Sequence, residues 1–321
     1  MKHECEFTIN DKILTLVSEI SVLVGRVRKD FLPPFQLELR RKNRIRSIHS
    51  SLAIEGNTLS LKNVTDIIDG KKIVGNRREI QEVKGALAAY DLIDSLNPCS
   101  IEDLLKVHGI LMWALVDNPG EFRDCGVGVF KGPIPVHIAP EAEDVPKLMN
   151  ELMKWSEETD CHPLIKGCVF HCRFENIHPF KDGNGRMGRL WHSLILSKWN
   201  SIFSHLPIET WVQLNQQQYY DVLNKSNDGD MTEFILYMLE IIKMAMDEFV
   251  DESEYAVELD LSERERIILK FISKNPKITI AILAETMKLS DRTIKRHISS
   301  LVDKNVIRRV GSDKAGQWEI I

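Results

Sequence analysis

Apolar residues recur at intervals of three and four positions along most of this chain, the spacing that gathers them on one face of an α-helix. One such run covers residues 11–60 with a break at Pro33-Pro34, and another covers residues 76–92. Further helices are predicted over residues 145–155, 164–175, 188–199, 213–226 and 232–246. The pattern therefore indicates a mainly α fold.

Other segments depart from this pattern or add to it. A helix is predicted after Ser100, because this residue is a favourable N-cap and Asp103 follows three positions later, as in a capping box. Residues 119–140 form short apolar runs rich in Gly and Pro, which predict a small β-hairpin. Residues 251–260 are acidic and lack an apolar stripe, so they are interpreted as a linker.

The C-terminal segment shows a separate order of elements. Helix starts are predicted near Ser262, Thr279 and Ser290, and strands over residues 306–310 and 317–321. A turn at 311–316 with Gly at both ends joins the two strands. Three helices followed by a two-stranded wing resemble a winged helix-turn-helix domain.

Composition and charge restrict the compartment and the partners. The 321 residues are 43% hydrophobic, with no apolar run of membrane-spanning length and no secretory signal at the start. The six cysteines are scattered, so we expect reduced thiols, a cytoplasmic location and no membrane partner. Residues 261–321 carry 13 Lys and Arg against 7 Asp and Glu, a net +6 that leaves −11 for the rest. Phosphate backbones would attract only this segment, which suggests different partners for the two parts.

The run from His178 to Arg189 has the composition of an anion-binding loop that opens a helix. Gly183 and Gly185 allow backbone angles at which successive N–H groups point towards phosphate oxygens. The helix that follows adds the positive end of its dipole. Arg186 and Arg189 are three positions apart, so they share one helix face and can reach the same anion.

Two further residues of this run suggest chemistry. Asp182 is an unusual residue in a pure phosphate site, but its carboxylate would hold Mg²⁺ against the phosphates. His178 stands at the predicted end of the preceding helix, where a neutral imidazole can take the proton of an attacking hydroxyl. Taken singly, each feature also fits a turn, a helix end or a solvated face. Their combination within twelve residues favours function.

The same run matches the signature His-x-Phe-x-Asp/Glu-Gly-Asn-Gly-Arg-x-x-Arg, and the chain therefore resembles Fic proteins. The resemblance implies a helical core and a protein adenylyltransferase that transfers the AMP of ATP, with Mg²⁺, to a Ser, Thr or Tyr hydroxyl of a target protein or of itself. It implies that His178 is the general base and Asp182 the Mg²⁺ ligand, while Phe180 anchors the loop. The implied phosphate ligands are Gly183, Asn184, Gly185, Arg186 and Arg189.

Two neighbouring segments are similar to other Fic features. The extended run after Gly120-Glu-Phe-Arg123 resembles the flap whose strand edge docks the target. Its docking residues are expected to be Val136, His137 and Ile138. A later helix resembles the element that borders the adenine, with Tyr219, Tyr220 and Asn224 as its contacts. Core packing of these aromatic residues is the alternative.

Residues 51–56 resemble the inhibitory motif Ser/Thr-x-x-x-Glu-Gly/Asn of some family members. Ser51 and Glu55 are four positions apart, so both face one side of a helix. A carboxylate delivered to Arg189 would occupy the place of the ATP γ-phosphate and misplace the α-phosphate. The alternative is a plain helix end capped by Gly56, and the two interpretations are compatible.

In the C-terminal segment, basic residues follow the predicted recognition helix and the wing. They are Arg292, Lys295 and Arg296, with His297 as a further candidate, and Arg308 and Arg309. This arrangement suits DNA phosphates, while protein docking or dimerisation is the alternative.

The predicted organisation has four parts. They are an N-terminal helical region with the inhibitory helix (1–97), a catalytic core (98–250), the linker (251–260) and the winged helix-turn-helix domain (261–321). Three other functions stay open: a DNA-binding regulator that carries a Fic domain, transfer from another phosphate-linked donor, and removal of AMP. A homodimer also stays open.

Overall fold

The computed structural model describes residues 6–27, 33–131, 134–258, 261–311 and 316–321. Its helices are α1 (Asp11–Arg26), α2 (Pro33–Ile54), α3 (Leu61–Ile68), α4 (Arg77–Asp91), α5 (Ile101–Leu111), α6 (Val145–Glu158), α7 (Pro163–Ile177), α8 (Asn184–Trp199), α9 (Ile208–Leu214), α10 (Gln216–Lys225), α11 (Thr232–Glu258), α12 (Glu263–Lys274), α13 (Ile280–Met287) and α14 (Asp291–Asp303). Antiparallel strand pairs join β1 (Gly128–Lys131) to β2 (Ile134–Ile138) and β3 (Ile307–Val310) to β4 (Gln317–Ile320). The predicted mainly α fold is confirmed.

Short-range signals begin and end many of these helices. The side chains of Ser60, Asn76 and Ser100 accept a hydrogen bond from a first-turn N–H of α3, α4 and α5. Pro163 occupies the first turn of α7, where its missing N–H costs nothing. The chain leaves α2 through Gly56, whose φ of 90° is available to glycine without strain.

The structure differs from the sequence prediction in four places. Helix α3 was not predicted, and the helix predicted over 213–226 is interrupted at Asn215, between α9 and α10. Helix α8 begins at Asn184, inside the loop motif, because Gly183 adopts the left-handed conformation as its N-cap. Residues 251–258, interpreted as a linker, continue α11, since they contain neither Gly nor Pro to stop it. Residues 259 and 260 lie outside the described residues.

Helices α7 and α8 form the centre of the helical core. Phe170 and Phe174 of α7 and Leu190 and Trp191 of α8 have no exposed surface. Residues of α8 are buried on every side from Asn184 to Leu196, apart from Gly185, which is half-buried. A helix that is covered all round moves little relative to its neighbours, so the loop between α7 and α8 is held at both ends.

The predicted β-hairpin is present as β1 and β2. Its pairing brings Gly128 opposite Ile138 and Val129 opposite His137, with an irregularity after Val129. Residues 132 and 133 and the side chains of 129–138 lie outside the described part of the chain. The expected docking residues Val136, His137 and Ile138 are therefore located by backbone only.

The C-terminal elements form their own apolar core. Leu269, Leu283, Ile294 and Leu301 are buried together with the start of β3. Ser262 and Glu265 form a full capping box at the start of α12, and this pair is worth roughly 1 kcal/mol in helices of this kind. The predicted three helices and two-stranded wing are confirmed, and residues 312–315 of the turn lie outside the described residues.

The chain divides into two compact units by its internal contacts. One contains residues up to 24 together with 43–246, and the other contains 25–42 together with 247–321. Among the described residues, no helix combines the length and apolar character that a membrane crossing requires.

Candidate active site

The loop between α7 and α8 is shaped by two left-handed residues. His178 ends α7 with φ 49° and ψ 61°, and Gly183 precedes α8 with φ 87°. A non-glycine residue in this region is uncommon and marks a position that its surroundings hold in place. The loop between α7 and α8 therefore begins and ends with a left-handed residue.

Contacts around His178 define which nitrogen can act as a base. Its Nδ1 lies 3.3 Å from the carbonyl oxygen of Glu175. A carbonyl oxygen only accepts hydrogen bonds, so this contact places the proton on Nδ1 and leaves the lone pair on Nε2. In a neutral ring Nε2 is thus the nitrogen that can accept a proton, and the ring itself is half-buried.

Arg123 ties the flap to the backbone of His178. Its Nε donates to the His178 carbonyl oxygen at 2.8 Å, and its other nitrogens donate to the carbonyl oxygens of Cys125 and Pro140 at 2.9 and 2.5 Å. Burial lowers the pKa of this guanidinium, which is 3% exposed. Cys125 precedes β1 and Pro140 follows β2, so one side chain fixes both ends of the hairpin to the catalytic loop.

Phe180 and Asn184 close the loop internally. The Asn184 amide accepts from the Phe180 N–H at 2.9 Å and donates to the Phe180 carbonyl oxygen at 2.8 Å. Phe180 is fully buried, as expected for an anchor, and lies parallel to the His108 ring at 3.6 Å. The Asn184 side chain was predicted to bind phosphate. In this structure its amide oxygen and its amide nitrogen both bind the Phe180 backbone, and its contact with phosphate stays a prediction.

His108 connects the loop to the segment that leads into the flap. Its Nδ1 accepts from the Gly120 N–H at 2.9 Å, and its Nε2 lies 3.1 Å from the carbonyl oxygen of Asp182. These partners require a proton on Nε2 and none on Nδ1. Burial lowers the pKa of His108 to about 4, so the neutral ring persists at physiological pH.

The glycines of the motif leave room for close neighbours. A Cβ at Gly183 would lie 2.7 Å from the Met112 sulfur. At Gly185 it would collide with the Glu55 carboxylate and lie 3.0 Å from Arg189. Gly183 also has a positive φ, so a side chain there would be strained, whereas a side chain at Gly185 would have to displace the Glu55 carboxylate.

Asp182 lies in a network of alternating charges. Its Oδ1 accepts from Arg186 at 2.9 Å and from the Gly183 N–H at 2.6 Å, and its Oδ2 accepts from Arg78 at 3.2 Å. Glu82 lies 3.6 Å from Arg78 and 3.7 Å from Arg186. Arg78 and Glu82 both belong to α4, which sequence analysis had not assigned to the site.

The donor set around Asp182 suits a magnesium ion only in part. Its carboxylate is 40% exposed and supplies the oxygen that Mg²⁺ prefers. Among the described residues, no three His, Cys, Asp or Glu side chains form a group that could hold a metal ion. A magnesium ion at this site would therefore take most of its ligands from the nucleotide and from water, which is usual for nucleotide sites.

Arg189 is bound by the predicted inhibitory helix. Its Nη2 donates to the Ser51 carbonyl oxygen at 2.9 Å and to Glu55 Oε1 at 2.7 Å, and its Nε donates to the Ser51 hydroxyl at 3.1 Å. Burial opposes the charge of Arg189, but the charge and hydrogen bond of Glu55 outweigh it and raise the pKa of the guanidinium. The Ser51 and Glu55 side chains thus meet the same arginine, as their spacing predicted.

Helix α10 contacts the end of the same inhibitory helix. Gln216 and Tyr220 point to the carbonyl oxygen of Ile54 at 3.1 and 3.4 Å. Tyr219 instead lies in the core at 1% exposure, with its hydroxyl 3.1 Å from His171. Of the two tyrosines predicted to border adenine, only Tyr220 faces the surface, at 38% exposure. Asn224 lies half-buried one turn further along α10.

Beneath the loop lies a group of buried ionisable residues. Burial raises the pKa of Glu175 to about 8 and lowers the pKa of His192 to about 3. Burial lowers the pKa of His171 as well, and its Nε2 lies 3.8 Å from Glu175. At neutral pH the two imidazoles are therefore uncharged, and Glu175 is mostly protonated.

In the C-terminal unit, the predicted basic residues differ in their availability. Arg292, Lys295 and Arg296 are exposed on α14. His297, the further candidate on this helix, is only 9% exposed and lies on the side of α14 that packs inward. In the wing, Arg308 pairs with Glu319 at 2.6 Å, and Arg309 lies 4.7 Å over the Trp318 ring.

Four residues that position the loop or its charges were not singled out as site residues from the sequence: Arg78, Glu82, His108 and Arg123. Only Arg123 carried a signal, as part of the flap-like Gly120-Glu-Phe-Arg123. The others resemble ordinary helix residues, because their partners lie far away in the sequence.

A helical core with an anion-binding loop at the start of a buried helix, followed by a winged helix, defines the class of protein. The family model described as Fic/DOC family matches residues 98–196, and the model described as winged helix-turn-helix DNA-binding matches residues 261–308. A crystal structure of a Fic family protein from Desulfovibrio desulfuricans G20 is 37% identical, with a TM-score of 0.76 over 99% of this chain and 98% of that one. The chain belongs to the Fic family.

Curated relatives carry the name protein adenylyltransferase Fic. The protein of Nematostella vectensis is 30% identical over 214 residues, which cover 63% of this chain and 48% of the relative. The protein of Aedes aegypti is 29% identical over 215 residues and is covered to 41%. The chain thus spans less than half the length of these relatives. Fic-1 of Caenorhabditis elegans has a TM-score of 0.64 at 22% identity over 76% of this chain and 73% of that one, which shows a shared fold.

Proposed function

We propose that this chain is a protein adenylyltransferase that transfers the AMP of ATP to a Ser, Thr or Tyr hydroxyl of a protein target, itself included. The observation that carries the proposal is the loop between α7 and α8. It presents an imidazole, His178, at the end of α7, and a helix N-terminus with two buried arginines, Arg186 and Arg189, at the start of α8. The relatives named adenylyltransferases support the same reaction.

The proposed reaction uses His178 to accept the proton of the target hydroxyl at Nε2. The hydroxyl oxygen then attacks the α-phosphorus, and pyrophosphate leaves with the electron pair of the broken bond. The N–H groups at the start of α8 and the guanidinium of Arg186 stabilise negative charge on the phosphates. Asp182 would hold a magnesium ion, which supplies charge neutralisation on the phosphates when bound.

Glu55 is proposed to inhibit this reaction within the chain. Its carboxylate lies 2.7 Å from Arg189 and against Gly185, at the place where a terminal phosphate of ATP would meet the same guanidinium. A bound ATP would then be held in a pose without in-line attack, and misplacement on the order of 1 Å can lower a rate about a hundredfold. Removal of the Glu55 carboxylate is expected to free Arg189.

The test is transfer of label from ATP labelled at the α-phosphate, with Mg²⁺, by wild type, Glu55→Gly and His178→Ala. We expect Glu55→Gly to label protein at least tenfold faster than wild type, because Arg189 becomes available to the triphosphate. The double variant Glu55→Gly/His178→Ala should lose this label. Glu55→Gln is the matched variant, since it keeps the size of the side chain and removes its charge.

Other outcomes would favour other activities. If Glu55→Gly labels protein no faster than wild type, the proposed inhibition is wrong. If no variant transfers AMP to itself or to lysate proteins, another phosphate-linked donor becomes the better hypothesis. Release of AMP from labelled protein by wild type, but not by Glu55→Gly, would assign the reverse reaction to Glu55.

We also propose the organisation 1–97, 98–250 and 261–321, with DNA binding by the last segment. Helix α14 exposes Arg292, Lys295 and Arg296 and follows the short helix α13, as a recognition helix does. The full chain should bind duplex DNA with an affinity that falls steeply with salt, and Arg292→Ala/Lys295→Ala/Arg296→Ala should reduce that slope by roughly one for each phosphate no longer neutralised. Arg266→Ala on α12 is the control. Unchanged binding in the triple variant, or none at low salt, would favour protein docking or dimerisation.

A further inference from the structure

The charge network around Asp182 contains an arginine that the proposed phosphate site does not use. Arg78, in the first turn of α4, directs all three of its guanidinium nitrogens to oxygen atoms. Nη1 donates to the Leu115 carbonyl oxygen at 3.3 Å, Nη2 donates to Asp182 Oδ2 at 3.2 Å, and Nε lies 3.6 Å from Glu82. The head group is thus held near the loop, although 54% of the side chain is exposed.

The two oxygens of Asp182 are not equivalent. Oδ1 is shared by the Gly183 N–H and by Arg186, whose side chain is 5% exposed and cannot withdraw. Oδ2 accepts from Arg78, which reaches it from the solvent side. Oδ1 thus has both of its lone pairs in use, and a divalent cation about 2.1 Å from Oδ2 would repel a guanidinium that is hydrogen-bonded to the same oxygen. Oδ2 is therefore the oxygen that the cation can take, and Arg78 is the group that it displaces.

A displaced Arg78 would remain close to the phosphates. The Leu115 carbonyl oxygen and Glu82 would still hold its other nitrogens, which would keep the displaced Nη2 near Asp182 and therefore near phosphates bound to the same cation. Leaving that nitrogen beside a cation without an anion would be unfavourable, whereas a phosphate oxygen offers a charge-assisted hydrogen bond. The exchange therefore favours a polyphosphate and a divalent cation together.

We infer that Arg78 is a phosphate ligand that becomes available only when a divalent cation has taken Asp182, so that cation and nucleotide bind cooperatively through this residue. The inference rests on the proposed nucleotide site. It adds to that site a residue of α4, outside the segment 98–196 that matches the family model. Arg78 is a binding residue and plays no part in proton transfer.

The test measures ADP binding by calorimetry with Mg²⁺ and with EDTA, in the Glu55→Gly background that leaves Arg189 open. Arg78→Ala should weaken ADP binding about tenfold with Mg²⁺, the loss of one charged hydrogen bond. With EDTA it should weaken binding less than about threefold, since Nη2 then stays on Asp182 and acts only as a nearby exposed charge. Arg77→Ala, which removes an exposed arginine one position earlier, should change neither value.

Two results would overturn the inference. Equal weakening in Mg²⁺ and EDTA would mean that Arg78 acts as a general positive charge, and no weakening in either would mean that it stays on Asp182. In both cases ADP binding by the Glu55→Gly parent leaves the proposed function standing. A parent that binds no ADP would remove the nucleotide site and this inference with it. A thermal melt of Arg78→Ala within a degree of the parent excludes loss of fold as the cause.

Discussion

At the scale of single residues, His108 illustrates how one neutral side chain can set the geometry of a catalytic loop. Its Nδ1 holds Gly120, its Nε2 holds the Asp182 carbonyl oxygen, and its ring covers Phe180. The first contact joins the segment after α5 to this helix, and the other two join the loop between α7 and α8 to it. The imidazole therefore acts as a positioning group, and it never has to touch the substrate.

Two substitutions of His108, each of which can keep the hydrogen bond of one ring nitrogen, should distinguish a positioning role from a general contribution to stability. His108→Gln places an amide nitrogen near the Nε2 position and can keep the bond to Asp182, while His108→Asn places an oxygen near Nδ1 and can keep the bond to Gly120. In the Glu55→Gly background we expect His108→Asn to lower kcat about tenfold, with a smaller effect of His108→Gln and little change in the KM for ATP. Initial rates of label transfer at varied ATP concentration measure both values.

Equal losses in both variants, in proportion to their loss of thermal stability, would assign His108 a purely structural role. The pH profile gives an independent check. Since burial lowers the pKa of His108 to about 4, its own titration should leave the rate flat between pH 8 and 5.

At the scale of elements, α2 carries Ser51 and leads directly into Glu55, the residue of the proposed inhibition, and a buried carboxylate fixes the position of this helix. Glu209 of α9 accepts from the Ser47 hydroxyl at 2.7 Å and from the Tyr90 hydroxyl at 2.8 Å, and it is 2% exposed. One turn further along α2, Ser50 lies 3.1 Å from the Thr210 hydroxyl. Ser47 lies one turn before Ser51 on α2, and Ser51 binds Arg189. The docking of α2 and the contact with Arg189 therefore depend on each other.

Weaker docking of α2 should therefore relieve inhibition. Glu209→Gln keeps the shape of the side chain but replaces one acceptor oxygen with a donor, which should cost about 1–3 kcal/mol at a buried site. We expect a several-fold faster label transfer than wild type. The same substitution in the Glu55→Gly background should add no further rate. An equal increase in both backgrounds would mean that Glu209 acts on the active site by a route other than α2.

At the scale of the whole molecule, stability should depend on pH through the buried group at Glu175. Burial raises the pKa of this carboxyl from 4.5 to about 8, so the folded state binds its proton more tightly than the unfolded state. Its contribution to stability is complete below pH 4.5 and is lost as pH rises towards 8. His171 and His192 have lowered pKa values and act in the opposite direction, below pH 6.5.

Between pH 6.5 and 8, the titration of Glu175 should therefore change stability more than the titrations of His171 and His192 do. Over this interval the free energy of unfolding of wild type should fall by on the order of 2 kcal/mol, and its Tm by roughly 5 °C. Neither value should fall by this amount in Glu175→Gln. Differential scanning calorimetry at the two pH values measures the difference. A Tm that falls equally in both proteins would place the titration in another group.

Much of this protein is determined locally in its sequence. Helix periodicity, the caps at Asn76 and Ser100 and the complete loop motif are short-range features, and each produces the same structure in many contexts. For that reason the mainly α fold, the hairpin and the winged helix were predicted correctly. The helical continuation of α11 was missed because an acidic segment without an apolar stripe resembles a linker until the structure shows otherwise.

Tertiary structure alone decided which side chains meet. Arg189 and Ser51 are 138 positions apart in sequence, Arg78 and Asp182 are 104 apart, and Ser47 and Glu209 are 162 apart. Spacing constrains only neighbours within a turn or two, whereas these pairs depend on how whole helices pack. The burial of Tyr219 and His297 has the same origin. The sequence alone determined the chemistry of the loop, and the packing of α2, α4 and α5 around it decided what restrains that chemistry.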